Sequence, residues 1–204
     1  MRSTDTLAGL LLSPGTNTGD VTGDAYISIE NLESSTFDDM LLGTNNANVI
    51  RGNHYPGLSG ADHLFGRGGN DTLFGNNQDD TLVGGTGRDI MTGGDGADDF
   101  DFNAVAETGT TGSTRDRITD FEHLTDDIDL ATIDANGGAA GNTAFSFLAA
   151  NGAAFTGARG QLRWVQQIDT DKTIIAGDIN GDSVADFQIE LTGLKTLTAV
   201  DFFL

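Results

Sequence analysis

Cysteine is absent from these 204 residues, which removes any disulfide framework, thiolate metal site or thiol nucleophile. The three histidines, His54, His63 and His123, are isolated, so no H-E-x-x-H zinc motif can be written. No apolar run approaches the length of a membrane-spanning helix. Basic residues are scarce: 10 Lys and Arg stand against 31 Asp and Glu, a formal charge of −21. Such a chain repels nucleic-acid phosphates and anionic lipid surfaces, and cations are its natural partners. The start, MRSTDTLAGLLLSPG, has one arginine, an intruding Asp5 and no small-residue cleavage site, so it reads as a strand and not as a secretory leader. Acid pairs are too numerous to nominate any as hydrolytic catalysts, and no active site is found.

What is plentiful is glycine, 29 residues against two prolines. Glycine weakens helix interiors, so turns and strands are favoured, and an apolar content of 37% suffices for a core. The glycines are periodic. An acidic or amide residue recurs at Asp39, Asn48, Asp62, Asp71, Asp80, Asp89 and Asp98, at intervals of nine interrupted once by five extra residues around NHYPGL. Two residues after each stands an apolar side chain, Leu41, Ile50, Leu64, Leu73, Leu82, Met91 and Phe100. Four residues after each stands a glycine, from Gly43 to Gly93, until Phe102 ends the series.

The unit is G-G-x-G-x-D-x-(apolar)-x, and the block resembles the hemolysin-type (RTX) calcium-binding repeats of exported bacterial proteins. GGTGRD and GGDGAD are complete, GRGGND, GNNQDD and GLSGAD partial, GTNNAN and SSTFDD degenerate. The resemblance implies an all-β fold, a right-handed parallel β-roll with a C-terminal β cap or sandwich. Physically, x-(apolar)-x makes a three-residue strand with its middle side chain inward. The preceding six residues make a turn in which glycine permits positive φ and close carbonyl approach. Two strands and two turns give an 18-residue coil, so Asp62, Asp80 and Asp98 stack in one column and Asp71 and Asp89 in the other. Across the insertion, Asp39 precedes Asp62 and Asn48 precedes Asp71.

Coils lie about 4.8 Å apart, and at an effective dielectric near 20 each stacked carboxylate pair costs roughly 3 kcal/mol. Only oxygen donors are on offer, which suits a hard cation taking six to eight oxygens, and that cation is calcium. Ions are expected between the turns of Asp62 and Asp80, Asp71 and Asp89, and Asp80 and Asp98. Carbonyls of the second and fourth turn positions complete them: Gly85, Gly87, Gly94 and Gly96 first, with Gly60, Gly69 and Asn76 as counterparts. Asn76 and Gln78 replace glycine in the Asp80 turn, and Asn48 supplies no charge, so its site is weaker or empty. Residues 30–56 read equally well as polar turns without metal.

The flanks divide the chain further. Residues 1–36 read as early coils without good calcium turns, with Leu32 nine before Leu41 and Glu30 at the acid position. The roll proper is 37–102, followed by a small-residue connecting loop at 103–120 and a cap at 121–204. The segment DRITDFEHLTDDIDL resembles the join between roll and C-terminal domain in serralysin-type metallopeptidases. There Asp116 and Asp120 either complete the last sites or are surface acids. AFSFL, QLRWVQQI, KTIIAG, DFQIEL and VDFFL read as strands, with Trp164 in the core. DINGDSVAD at 178–186 matches the first part of an EF-hand loop but has Ile189 where a bidentate Glu is required, which favours a tight turn.

The resemblance implies a non-catalytic calcium-dependent folding and secretion module, a piece of a larger extracellular bacterial protein such as a serralysin-like metallopeptidase. AVDFFL resembles the uncleaved C-terminal signal read by type I secretion machinery, and is equally a final strand. The alternative is a polysaccharide-binding or adhesin module, such as the roll modules of alginate epimerases, which needs a basic track that ten dispersed Lys and Arg do not supply.

Overall fold

A computed structural model of the chain describes residues 31–34, 36–52, 60–138 and 142–204. The expectations for residues 1–30 and for the NHYPGL insertion lie outside the described residues. Within the repeats each x-(apolar)-x triplet is a strand. They are β1 (Asn31–Glu33), β2 (Met40–Leu42), β3 (Val49–Arg51), β4 (His63–Phe65), β5 (Thr72–Asn77), β6 (Thr81–Val83), β7 (Ile90–Asp95) and β8 (Asp99–Asp101).

Odd strands pair in parallel in one sheet and even strands in the other, so successive repeats fall on opposite sides of a flattened coil. Leu64 pairs with Leu82, Leu73 with Met91, and Leu82 with Phe100, each 18 residues on. Across the insertion Leu41 meets Leu64 and Ile50 meets Leu73, so the register of the strands is kept. The middle side chain of every triplet, from Leu32 to Phe100, is buried between the sheets. Each such burial contributes about 1.5–3 kcal/mol.

The roll runs two strands beyond the glycine repeats. Strand β9 (Asp116–Ile118) pairs with β7, and β10 (Asp127–Asp129) pairs with β8, which places buried Ile118 and Ile128 over Met91 and Phe100. The expected connecting loop at 103–120 is therefore interrupted by a roll strand at Asp116–Ile118, with one 3₁₀ turn before it at Val105–Glu107. The region assigned to the cap likewise opens with a roll strand. The D-x-(apolar) half of the repeat persists here as Asp116-Arg117-Ile118 and Asp126-Asp127-Ile128, and that half makes the strand.

The cap is continuous with the roll. Strands β11 (Ser146–Leu148), β12 (Gln161–Gln167), β13 (Lys172–Asp178) and β14 (Phe187–Thr192) extend the first sheet, with β14 parallel to β9 and β12–β14 an antiparallel meander. At the junction the buried Arg115 guanidinium reaches Glu190 at 2.8 Å and Gln188 at 2.7 Å. The second sheet ends on β15 (Phe202–Phe203), parallel to β10. Phe147 and Phe202, with ring centroids 5.1 Å apart, join the last strands of the two sheets and close this end. Trp164 is buried and donates to the Ala149 carbonyl, a core residue as expected.

Phe100 is fully buried in the middle of the stack, so Phe100→Ala is expected to cost about 3–5 kcal/mol by urea unfolding in about 10 mM calcium. Met40→Ala, on the outward side of β2 and 45% exposed, should change stability by no more than about 0.5 kcal/mol.

Candidate metal centre

Each turn is shaped by its own aspartate. In the turns ending at Asp71, Asp80, Asp89 and Asp98, the carboxylate folds back over the glycine that opens the turn. A Cβ at Gly66, Gly75, Gly84 or Gly93 would lie 2.1–2.6 Å from the aspartate Oδ2 five residues on. The second and fourth turn positions take the left-handed conformation, as at Gly85 (φ 84°) and Gly94 (φ 109°). Where the repeat lacks glycine the backbone holds this shape anyway: Arg67, Asn76 and Gln78 have φ of 75°, 84° and 71°. The departures at Asn76 and Gln78 therefore leave the Asp80 turn intact.

Carbonyls face the gap between coils. A Cβ at Gly94 would lie 2.1 Å from the Asn76 carbonyl oxygen, and one at Gly87 would collide with the Gly69 carbonyl. Gly60 lies two residues before Asp62, and a Cβ there would collide with the Phe37 backbone. Gly85 and Gly96 hold the same two turn positions one coil on, pressed against the carbonyls of Arg67 and Gln78.

The columns form as the 18-residue period requires. Asp80 Oδ1 accepts the Asp62 N–H at 2.7 Å, Asp89 Oδ1 that of Asp71 at 2.7 Å, and Asp98 Oδ1 that of Asp80 at 3.0 Å. Across the insertion the same bond runs from Asp39 N–H to Asp62 and from Asn48 N–H to Asp71. A second ladder runs the opposite way one position earlier, where Asp38, Asn70 and Asp79 accept the N–H of Ala61, Arg88 and Ala97 on the following coil.

With one carboxylate oxygen engaged, the other is stranded. Oδ2 of Asp71, Asp80, Asp89, Asp98 and Asp116 is buried and receives no hydrogen bond. A buried carboxylate oxygen with no donor is costly, and five in two columns describe a place for positive charge. Burial pushes the carboxyls up, to about 8 at Asp80, about 7 at Asp89 and Asp98, and about 6 at Asp62 and Asp71; the backbone donor from the preceding coil pulls the other way. Among the described residues no three acidic or imidazole side chains converge on one point. An ion held here therefore draws most of its oxygens from turn carbonyls, a donor set that fits calcium and excludes the nitrogen and sulfur preferences of zinc.

The remaining candidates separate. Asp116 extends the second column: it is fully buried, takes the Asp89 N–H at 2.7 Å, and burial pushes it up to about 8. Asp120 stands apart, its two oxygens accepting the N–H groups of Gly93 and Gly94. Asn48 accepts the Thr44 N–H of its own turn at 2.7 Å through its side-chain oxygen. Asp126, which the periodicity did not reveal, extends the first column by accepting the Asp98 N–H at 3.1 Å. Its other oxygen takes the Glu122 N–H. The available signal was D-x-(apolar) at Asp126–Ile128, shorn of its glycines. In DINGDSVAD, Asp178 accepts from Gly181 and Ser183 and Asp186 from Ile179 and Asn180, a turn satisfied from within.

Comparison with known proteins gives a family match over most of the chain. The model of the peptidase M10 serralysin C terminal matches residues 14–204. No curated protein matches. Among solved structures, the AlgE6R3 subunit of the mannuronan C5-epimerase from Azotobacter vinelandii is 26% identical, covering 94% of this chain and 85% of that one, with a TM-score of 0.42. The AlgE6R2 subunit of the same enzyme is 27% identical, covering 84% and 90%, with a TM-score of 0.41.

Two outcomes follow from the turn geometry. Gly84→Ala should destabilise the roll by about 1–3 kcal/mol, because its Cβ would press on Asp89, whereas Gln78→Gly should stabilise it by up to about 1 kcal/mol by relieving a left-handed side-chain residue; urea unfolding in calcium checks both. In calcium-free buffer the native ladder holds protons to about pH 6–8 while the unfolded chain releases them near 3.8. The native state then binds more protons, so stability should fall as pH rises from about 4 to 8. Thermal unfolding that moved upward over that window would contradict this.

Proposed function

The chain belongs to the peptidase M10 serralysin C-terminal family, and from that premise we propose that it is a non-catalytic calcium-binding β-roll, the folding and secretion module of a larger extracellular bacterial protein. The observation that carries this reading is the row of buried aspartate oxygens without donors at Asp71, Asp80, Asp89, Asp98 and Asp116. Bound calcium supplies two positive charges and accepts six to eight oxygens.

Everything else is the work of the chain. The two columns hold carboxylates one strand spacing apart, and the three best-formed pairs together oppose folding by about 10 kcal/mol when ionised. That is comparable with the whole net stability of a domain. Neutralising them decides whether the roll exists. The first-position glycines seat each carboxylate, the left-handed positions turn carbonyls into the gap, and the strands lock the spacing. Sites of the extracellular class bind at about 10⁻⁴ to 10⁻³ M. The ladder is thus unfolded and threadable in a calcium-poor cytosol and folds outside, with type I secretion machinery as the partner that reads the C-terminal end.

Circular dichroism at pH 7.5 should show little β structure in EGTA and a cooperative gain in about 5–10 mM calcium. Asp80→Asn, in the middle of its column, should raise the calcium midpoint by about tenfold, since it weakens the gaps on both sides. A roll fully folded in EGTA at this pH would refute the proposal.

A further inference from the structure

The seven C-terminal residues are attached to the roll in a way that none of the repeat geometry explains. Asp201 is completely buried and gathers donors from two directions. Its Oδ2 accepts the Thr198 N–H at 2.6 Å and the Thr198 hydroxyl at 3.2 Å, which shape the tail's own 3₁₀ turn, Ala199–Asp201. Its Oδ1 lies 2.6 Å from His123 Nδ1 and accepts the Leu124 N–H at 3.3 Å, and both of those belong to the turn that ends at Asp126. That turn is the last rung of the first column. Asp126 receives the Asp98 N–H, and Leu124, two residues before it, holds the left-handed conformation (φ 68°) seen at the same position of the glycine turns. Beyond Asp201, Phe202 is buried against Phe147, and the Leu130 N–H donates to the Phe203 carbonyl.

We propose that residues 198–204 are a latch and that His123 and Asp201 are its clasp. The two contacts that tie Asp201 to the roll, from His123 and the Leu124 N–H, exist in this arrangement only when the turn 121–126 is folded onto Asp98. This segment is therefore accessible while the acidic columns are unfolded and becomes sequestered when they form. This rests on the calcium-dependent folding proposed above, and adds that folding of the roll withdraws residues 198–204 from any partner that grips them. The clasp acts at a point and not through the core: the His123 side chain is 33% exposed and Asp201 is not exposed at all. Its loss therefore leaves a buried carboxylate short of a donor without emptying the roll.

Hydrogen exchange followed by mass spectrometry on the full chain separates the latch from the roll. In calcium, peptides covering 62–100 and 195–204 should both be protected, and in EGTA neither. In His123→Ala the roll peptides should stay protected in calcium while the C-terminal peptide exchanges about tenfold faster, the loss of one hydrogen bond to a charged group. His123→Asn, whose amide can reach the place of Nδ1, should restore protection. A C-terminal peptide as protected in His123→Ala as in the unaltered chain, or protected in EGTA, would overturn the latch. Loss of roll protection in His123→Ala would also overturn it, by making the clasp part of the roll. Roll peptides unprotected in calcium in the unaltered chain would instead defeat the calcium-dependent folding itself.

Discussion

Stacking parallel strands about 4.8 Å apart forces each side chain onto its counterpart one coil away, and in this protein the side chain that closes each turn is an aspartate, save for Asn48. Like charges so placed cannot separate without breaking the sheet. The remaining features are responses to that constraint. One oxygen of each carboxylate is used to bind the preceding coil through its backbone N–H, as Asp89 does with Asp71. At Asp71, Asp80, Asp89, Asp98 and Asp116 the other is left buried and without a donor, and the proposed calcium ions are the charge that answers it.

The turns show how closely the backbone is adapted to this use. Glycine at the first position is there to admit a carboxylate, and glycine at the second and fourth to bring carbonyls of neighbouring coils against one another. Gln78 and Arg67 keep the left-handed conformation without glycine, so the stacking of coils imposes the turn even where local preference opposes it. The ends of the roll are treated differently. At the C-terminal end β14 continues one sheet and β15 the other, so pairing groups that an open solenoid would expose are used within the chain. The last turn, without glycines, gives up its second carboxylate oxygen to its own Glu122 N–H.

Much of this was legible in the residues. The nine-residue interval gives the coil length, the inward positions from Leu41 to Phe100, the two columns and the partner of each aspartate, because strand alternation and turn sterics act within a few residues of chain. The EF-hand-like DINGDSVAD reads as a turn for the same local reason, since the position that needs a bidentate carboxylate carries the buried Ile189. The resemblance to serralysin-type C-terminal domains rested on the segment around Asp116 and extended what spacing alone could say.

Other features escaped because they join segments that no period connects. Asp116 and Asp120 look alike in sequence. One lies in the column and the other caps the N–H groups of Gly93 and Gly94, a difference set by where β9 docks on β7. Asp126 joins its column 28 residues after Asp98, and Asp201 reaches His123 across 78 residues. The sequence by itself determined the repeating unit, its inward and outward faces and its acidic stacking, since these follow from sterics and alternation inside a single coil. Only the tertiary structure decided where the columns end and what holds the C-terminus to them, because those contacts depend on how a non-repeating loop and a four-stranded cap pack against the last coil.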